Sequence, residues 1–359
     1  MLGIEKWRKE IPLMRVAILG DFYLDRNNVN MLIGRNSLEH EIVPIRFSTN
    51  EETEYAPGGA GNVAVNFKKL GVEVVPFGVI GIDHRSKQLV ELLEHLGIST
   101  EGLIVDTGRI TPSYEKFHLE TDAKVQDYRL DTPIKREPSP SSQQRLLEKL
   151  ADNYTIGRIN AVYIADQTPT SNYPCITLGL RKGIRESLIS EKERRKGEDF
   201  HVMVDSRERI RDWANGKFIL KPNQREIWRE YRNEEEIITN SIFKAESMRY
   251  IFEQEVKKLY SDTPMFVTLH DKGAALFQKG FQSEYIPTLS VKDGDPTGCG
   301  DAFGTAALTA LSVGESFNQA GRFGNSAAYH TIQQMGMCGM PNLEELFKNY
   351  QHIYGSWAK

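Results

Sequence analysis

The chain has 359 residues, 40% hydrophobic and 26% charged, with 45 Lys+Arg against 49 Asp+Glu for a formal net charge of −4. That length holds a sizeable core, and so small a net charge gives no global field for a polyanion, so no nucleic-acid partner is expected. No apolar run reaches the roughly 20 residues of a membrane helix, and charged residues from Glu5 to Glu10 stand where a secretion signal is apolar. Cys175, Cys299 and Cys338 have neither disulfide nor zinc spacing. The expectation is a cytoplasmic protein with no membrane partner.

Short apolar runs closed by Gly, Asp or Asn alternate with longer stretches of helical period. In chain order the expected strands are 15–20, 72–81, 161–166, 201–205, 218–220 and 265–270. The expected helices are 62–70, 86–96, 176–190, a pair within 233–260, 302–312 and 317–333. Runs apolar on both faces are those of parallel strands covered by helices, so the alternation predicts a doubly wound α/β sheet built from βαβ units. Two segments depart from it. Residues 28–56 and 107–131 mix β-branched and aromatic residues with polar ones, which predicts half-exposed antiparallel strands forming a small β lid on a single domain spanning 1–359. Residues 133–142 read as a Pro/Ser-rich connector, and the charge run at 191–199 as a solvated helix end.

Residues 293–308, DGDPTGCGDAFGTAAL, carry the strongest chemical signal. Pro296 and the glycines forbid helix before Asp301, and a strong helix former follows. Small residues at that helix start leave the N–H groups around Gly298, Cys299 and Gly300 free to converge on an anion, which the macrodipole also favours. Asp301 beside such a hole can accept the proton of an attacking hydroxyl; it can equally be a helix cap. A second glycine cluster at 57–71, PGGAGNVAVNFKKLG, contains a loose G-x-G-x-x-A match but no buried strand ahead of it, so a turn presenting backbone and Asn62 to a small polar ligand fits better. No G-x-x-x-x-G-K-[ST] string occurs, which excludes a P-loop. Asp166, Asp205 and Arg207 lie at carboxyl ends of strands, where ligands bind in open α/β sheets.

In sequence order, GDFYLD (20–25), GGAGN (58–62), KPNQRE (221–226), VTLHDKGAALF (267–277), DPTGCGDAF (295–303) and GNSAAY (324–329) resemble the signatures of the ribokinase (PfkB) family of carbohydrate kinases. The resemblance runs from about residue 14 to about residue 345. It implies a ribokinase-like three-layer α/β/α fold, ATP and Mg²⁺ as cofactors, and a sugar or sugar phosphate as acceptor. It makes Asp301 the catalytic base, with Gly298, Cys299 and Gly300 as the anion hole, although the family usually has Ala where Cys299 stands. It places Asn223 and Glu226 by the phosphates and the waters of Mg²⁺, and Thr268, Gly273 and Asn325 around adenine and ribose. Asp25, Gly58, Gly59 and Asn62 would hold the acceptor. Asp295 and Thr297 match positions that bind a monovalent cation such as K⁺ in several members. Two of these motifs also explain themselves structurally: Asp25 can cap a turn, and Asn223 with Glu226 forms a helix capping box.

Within the family, GDFYLDR, GGAGNVAVN and VQDYRLD (125–131) look most like heptose-7-phosphate kinases, with Arg26, Arg35, Lys116 and Arg129 as candidate cations for the acceptor's phosphate. The expectation is that the chain departs from that group in a longer helix within 173–199 and in lacking an appended nucleotidyltransferase domain. The expected function is transfer of the ATP γ-phosphate to a hydroxyl of a sugar or sugar phosphate, heptose 7-phosphate first, by an enzyme pairing into homodimers through its lid. A ribokinase- or nucleoside-kinase-like acceptor, and a non-catalytic sugar or nucleotide sensor, are the alternatives.

Overall fold

The computed structural model describes residues 2–36, 44–48, 54–119, 126–132, 134–156, 159–169, 172–196, 198–231, 260, 262–281, 283–334 and 339–355. Nine strands form the main sheet among them, in the order Glu284–Ile286, Ala274–Phe277, Met265–Thr268, Ile219–Leu220, His201–Ser206, Ala161–Asp166, Arg15–Gly20, Glu73–Ile80 and Leu103–Val105. Pairing is parallel from Met265–Thr268 to Leu103–Val105, while the first two strands run antiparallel. The expected strand 265–270 therefore ends early. A 3-10 turn at His270–Lys272 and Gly273 at φ 103 reverse the chain, and a Cβ on Gly273 would lie 2.1 Å from the Ile286 carbonyl oxygen.

The continuous apolar runs have the predicted cause. In Arg15–Gly20, Val16 and Ile18 join one core with Phe67, Phe303 and Phe323, while Ala17 and Leu19 join the other with Leu146, Leu180 and Trp213. Helices thus cover both faces, giving three layers. Three helices were not foreseen: Leu2–Glu10, Pro140–Ile156 and Leu343–Tyr354. Leu2–Glu10 is mostly charged, and its anchor is tertiary: Trp7 is buried with ring centroids 4.5 Å from Phe323 and 5.3 Å from Phe347. The connector read at 133–142 is already helical from Pro140. The run at 191–199 is only partly solvated, because Glu191 is buried and takes Arg194 at 2.6 Å and also Arg195, whose guanidinium lies over Phe200. Of the helix pair expected within 233–260, all but Tyr260 lies outside the described residues, as does Cys338.

A second sheet contains Phe22–Asn36, Pro44–Ser48, Glu54–Gly59, Ser113–Leu119 and Gln126–Thr132. It corrects the expectation in two ways. It starts six residues earlier than position 28, so that Tyr23 pairs with Gly58 and Asp25 with Ala56, and Phe22–Asn36 runs parallel to Ser113–Leu119 rather than antiparallel. Register then sorts the side chains. Asp25, Tyr114 and Asp131 share one face with Lys116 and Arg129, while Arg26, Glu115 and Leu130 share the other with Phe117 and Tyr128.

Candidate active site

The carboxyl ends of Arg15–Gly20, Ala161–Asp166, His201–Ser206 and Ile219–Leu220 deliver Asp21, Gln167, Asp205 and Lys221 to one edge of the main sheet. The helix Cys299–Ser312 starts there. Its N-cap, Gly298, is left-handed at φ 75, a conformation glycine adopts without a Cβ penalty. The Cys299 N–H donates to the Pro296 carbonyl at 3.2 Å and the Ala302 N–H to Gly298 at 2.9 Å, so the amides at the open helix end are those of Gly300 and Asp301. Gly298 and Cys299 thus shape the turn into the helix, and the Gly300 and Asp301 amides have no partner within it.

Asp301 is partly buried, and two amides bracket its carboxylate: Asn62 Nδ2 donates to Oδ2 at 2.5 Å and Gln167 Nε2 to Oδ1 at 3.1 Å. Burial and then the nearby charge of Asp205 push its carboxyl up to about 6, against the opposing pull of Lys221, Asn62 and Gln167. Lys221 is buried, with Nζ 2.9 Å from Asp205 Oδ2, and that oxygen also accepts the Tyr163 hydroxyl at 3.2 Å. Burial works against the lysine charge, and Asp205 overcomes it, leaving the ammonium more basic than usual. A Cβ on Gly300 would stand 3.3 Å from Lys221 Nζ, so the lysine faces the helix end.

Lys221, Gln167 and Tyr163 were not foreseen as site residues. The available signal was position: Gln167 follows a buried strand, and Lys221 follows another inside KPNQRE.

Asn223 and Glu226 form the reciprocal capping box, Asn223 N–H to Glu226 Oε2 at 2.7 Å and Glu226 N–H to Asn223 Oδ1 at 3.0 Å. Burial, followed by Asp205, pushes the Glu226 carboxyl up to about 7. Thr268 bridges to Asn223 along the backbone. Asn325 lies on the helix Phe317–Thr331 and is buried; its amide donates to the Ile286 carbonyl at 3.1 Å and to the Tyr354 hydroxyl at 3.0 Å. Gly273 packs on the same Ile286 carbonyl, so Gly273 and Asn325 both hold the segment 286–287. Burial, then the charges of Asp295 and Asp301, push the Cys299 thiol up to about 12, which favours its protonated form.

On the side of the second sheet, Tyr23 lies flat against the glycine turn: a Cβ on Gly58 would be 2.1 Å from its ring, and one on Gly59 (φ 58) 2.4 Å. Tyr114 meets Tyr23 edge-on at 4.5 Å, and Arg129 stacks over Tyr114 at 4.5 Å while pairing with Asp131 at 2.5 Å. Among the described residues the partly buried Asp25 carboxylate has no hydrogen-bonding partner; burial raises its pKa, and Lys116 and Arg129 pull it back. Asp21 is committed elsewhere, taking the backbone N–H groups of Cys175 at 2.6 Å and Thr168 at 3.2 Å. Asp295 Oδ1 closes a local turn on the Thr297 N–H at 2.9 Å. Among the described residues no group of three or more His, Cys, Asp or Glu could hold a metal ion, and no helix is long and apolar enough to cross a membrane.

Free amides at a helix start beside a carboxylate of raised pKa are an arrangement suited to transferring a phosphoryl group to a hydroxyl. The chain belongs to the pfkB family of carbohydrate kinases, matching the family over residues 30–343, and is a sugar kinase. It is 25% identical over 325 residues to the bifunctional protein HldE of Sulfurimonas denitrificans, covering 90% of this chain and 61% of that protein. It is 27% identical to HldE of Shewanella denitrificans, covering 92% and 62%. The chain thus spans about three fifths of the length of these relatives. Among solved structures, Escherichia coli phosphofructokinase-2 in complex with potassium matches at TM-score 0.71 and 18% identity, covering 94% of this chain and 98% of that one. Arabidopsis thaliana ribokinase complexed with ribose and ATP matches at TM-score 0.64 and 18% identity with the same coverage. The fold is ribokinase-like.

Proposed function

We propose that the chain transfers the γ-phosphoryl of ATP to a hydroxyl of a phosphorylated sugar, heptose 7-phosphate first, with Asp301 as the base. The observation carrying this reading is the convergence of the Asp301 carboxylate, the outward amides of the helix start and the Lys221 ammonium on one edge of the sheet. In this mechanism the transferred group lies against the Gly300 and Asp301 amides and Lys221, whose charge offsets the negative charge of the transition state. The acceptor lies between Asn62, the Tyr23 and glycine turn, and Asp25, whose unpartnered carboxylate accepts its hydroxyls. Asp301 takes the proton of the attacking hydroxyl.

The family implies a divalent metal. Glu226, a half-buried carboxylate beside Asn223, fits a role toward the waters of an Mg²⁺ held largely by phosphate oxygens, and among the described residues no cluster of three or more His, Cys, Asp or Glu stands as a protein cage for the ion. When bound, the ion neutralises phosphate charge. We assign Asp295 and Thr297 to a monovalent cation such as K⁺, and Thr268, Gly273 and Asn325 to the walls of the nucleotide pocket.

The acceptor's phosphate falls to Lys116 and Arg129, which share the Asp25 face. Arg26 drops out, because it lies on the other face and pairs with Glu115 at 3.1 Å; the side chain of Arg35 is outside the described set. HldE relatives support the heptose assignment, and phosphofructokinase-2 has been solved with fructose-6-phosphate. One observation favours the nucleoside reading: the Tyr23 and Tyr114 pair offers an aromatic surface. We further propose that the second sheet closes as a lid on a single domain spanning 1–359. Its outer face, where Phe117 and Tyr128 stack at 4.1 Å and Leu130 is exposed, pairs with a second copy.

The test is ADP release over heptose 7-phosphate, fructose 6-phosphate, ribose and adenosine. Turnover confined to the phosphorylated sugars is expected; turnover with adenosine alone, or melting shifts without ADP, overturns the reading. Two further outcomes follow. Because Asp301 works deprotonated and its carboxyl is raised to about 6, kcat/KM should fall about tenfold per unit as pH drops below that value. Gly300→Val should drive a branched side chain toward Lys221 Nζ and abolish phosphoryl transfer, read as lost ADP release with an unchanged melting temperature.

A further inference from the structure

We propose that Gln167 is a positioning residue for phosphoryl transfer: its side-chain amide bridges Asp205 and Asp301 and holds the two carboxylates in one fixed arrangement with Lys221. The inference rests on the reading of Asp301 as the base.

The Gln167 amide nitrogen lies 3.1 Å from Asp301 Oδ1 and 3.0 Å from Asp205 Oδ2. An amide NH₂ carries two hydrogens, so each carboxylate receives one. Asp205 Oδ2 is the same oxygen that holds Lys221 at 2.9 Å, and Asp301 Oδ2 takes Asn62 at 2.5 Å. A continuous polar chain therefore runs Asn62, Asp301, Gln167, Asp205, Lys221, from the acceptor side to the phosphate side. Without the bridging donor, Asp205 would keep Lys221 and Tyr163, but Asp301 would be held by Asn62 alone and nothing would link the two carboxylates.

The backbone around Gln167 is clamped on both sides. Ahead of it the Asp166 carbonyl accepts the Arg207 N–H at 3.2 Å, and the wholly buried Asp166 carboxylate takes Ser206 Oγ at 2.9 Å, Arg209 Nε at 3.2 Å and Trp213 Nε1 at 3.1 Å. Behind it the Thr168 N–H donates to Asp21 Oδ2 at 3.2 Å and the Thr168 carbonyl accepts Arg209 at 2.8 Å. Three buried ionisable groups, Asp21, Asp166 and Arg209, thereby fix the backbone of a residue that reaches across to the base. An ordinary turn after a strand does not need this much buried polar support.

The charged and titratable groups acting on Asp301 are Asp205, which raises its pKa, and Lys221, which lowers it; Tyr23, Tyr163 and Cys299 are also coupled to it. Of its neutral donors, Gln167 and Asn62 both favour the ionised form. Gln167→Met keeps the length and removes the donor. It should lower kcat roughly 10- to 100-fold, leave KM for ATP within about twofold, and move the acid limb of kcat/KM to higher pH by about one unit. Gln167→Glu, nearly isosteric, sets a third carboxylate beside the other two and should move the limb further up. A residue that merely fills space would leave the limb unmoved in Gln167→Met, which decides the test, whereas the added charge of Gln167→Glu moves it in either case. An unmoved limb in Gln167→Met, whatever the fall in kcat, overturns the inference. Melting temperature and ADP binding confirm that the variant is folded, and Gln167→Leu, which also lacks the donor, takes its place if it is not. Asp301→Asn run alongside separates the two failures. If it is active, the base assignment falls; if it is inactive while the limb of the donor-less variant stays in place, only the bridging role falls.

Discussion

Asp301→Asn should lower kcat by roughly 10³-fold or more while the protein melts close to the parent temperature. The size follows from the chemistry: a positioned base contributes about 10²- to 10⁴-fold, and an amide at neutral pH cannot take the hydroxyl proton. The unchanged stability follows from the site. Burial and Asp205 already disfavour the ionised Asp301 carboxylate, so a neutral isostere relieves that cost while giving up one of the two amide hydrogen bonds from Asn62 and Gln167. ADP binding, measured by calorimetry, should persist. Turnover within about tenfold of the parent would sink the assignment of the base.

Lys221→Met is expected to act on both stability and rate. It leaves Asp205 buried without its ion pair at 2.9 Å, which costs about 3–5 kcal/mol by comparison with broken buried pairs. It also removes the positive charge at the helix end, and kcat should fall roughly 10²- to 10³-fold, the loss typical of one donor to a developing negative charge. The second change Asp205→Asn separates the effects. Its amide oxygen can still accept from Gln167 or Tyr163, but it no longer needs a cation. The double variant should recover most of the melting temperature and none of the turnover. Recovery of both would reduce Lys221 to a structural counter-ion.

The capping box at Asn223 and Glu226 illustrates how far local signals reach. It was legible in KPNQRE because the bonds close within three residues, and the structure has it. The helix start at Gly298–Asp301 was legible for the same reason: glycine, proline and a run of small residues dictate backbone geometry locally. The strands 15–20 and 161–166 match residue for residue, since a strand buried on both faces carries its burial in its own composition.

What depended on other parts of the chain was not legible. Residues 22–27 fall in neither the expected strand 15–20 nor the expected lid segment from 28, yet they open the second sheet, because their partners are Glu54–Gly59 and Ser113–Leu119. Leu2–Glu10 has only a narrow apolar stripe, Ile4 and Trp7, among mostly charged residues, and is held through Trp7 by aromatics more than 300 residues away. Asn325, expected at the nucleotide itself, spends its amide on Ile286 and Tyr354.

The sequence by itself determined the class of fold, the two glycine-rich turns and the aspartate at the head of a helix, all consequences of short-range backbone preference and local hydrophobic pattern. Only the tertiary structure decided that Asn62 and Gln167 would bracket Asp301 from 239 and 134 residues away, and that Lys221 would face the same helix end. The reason is physical. A pKa and an anion site arise from which charges and donors share a desolvated volume, and that sharing is set by how strand ends line up across the sheet, which no single segment encodes.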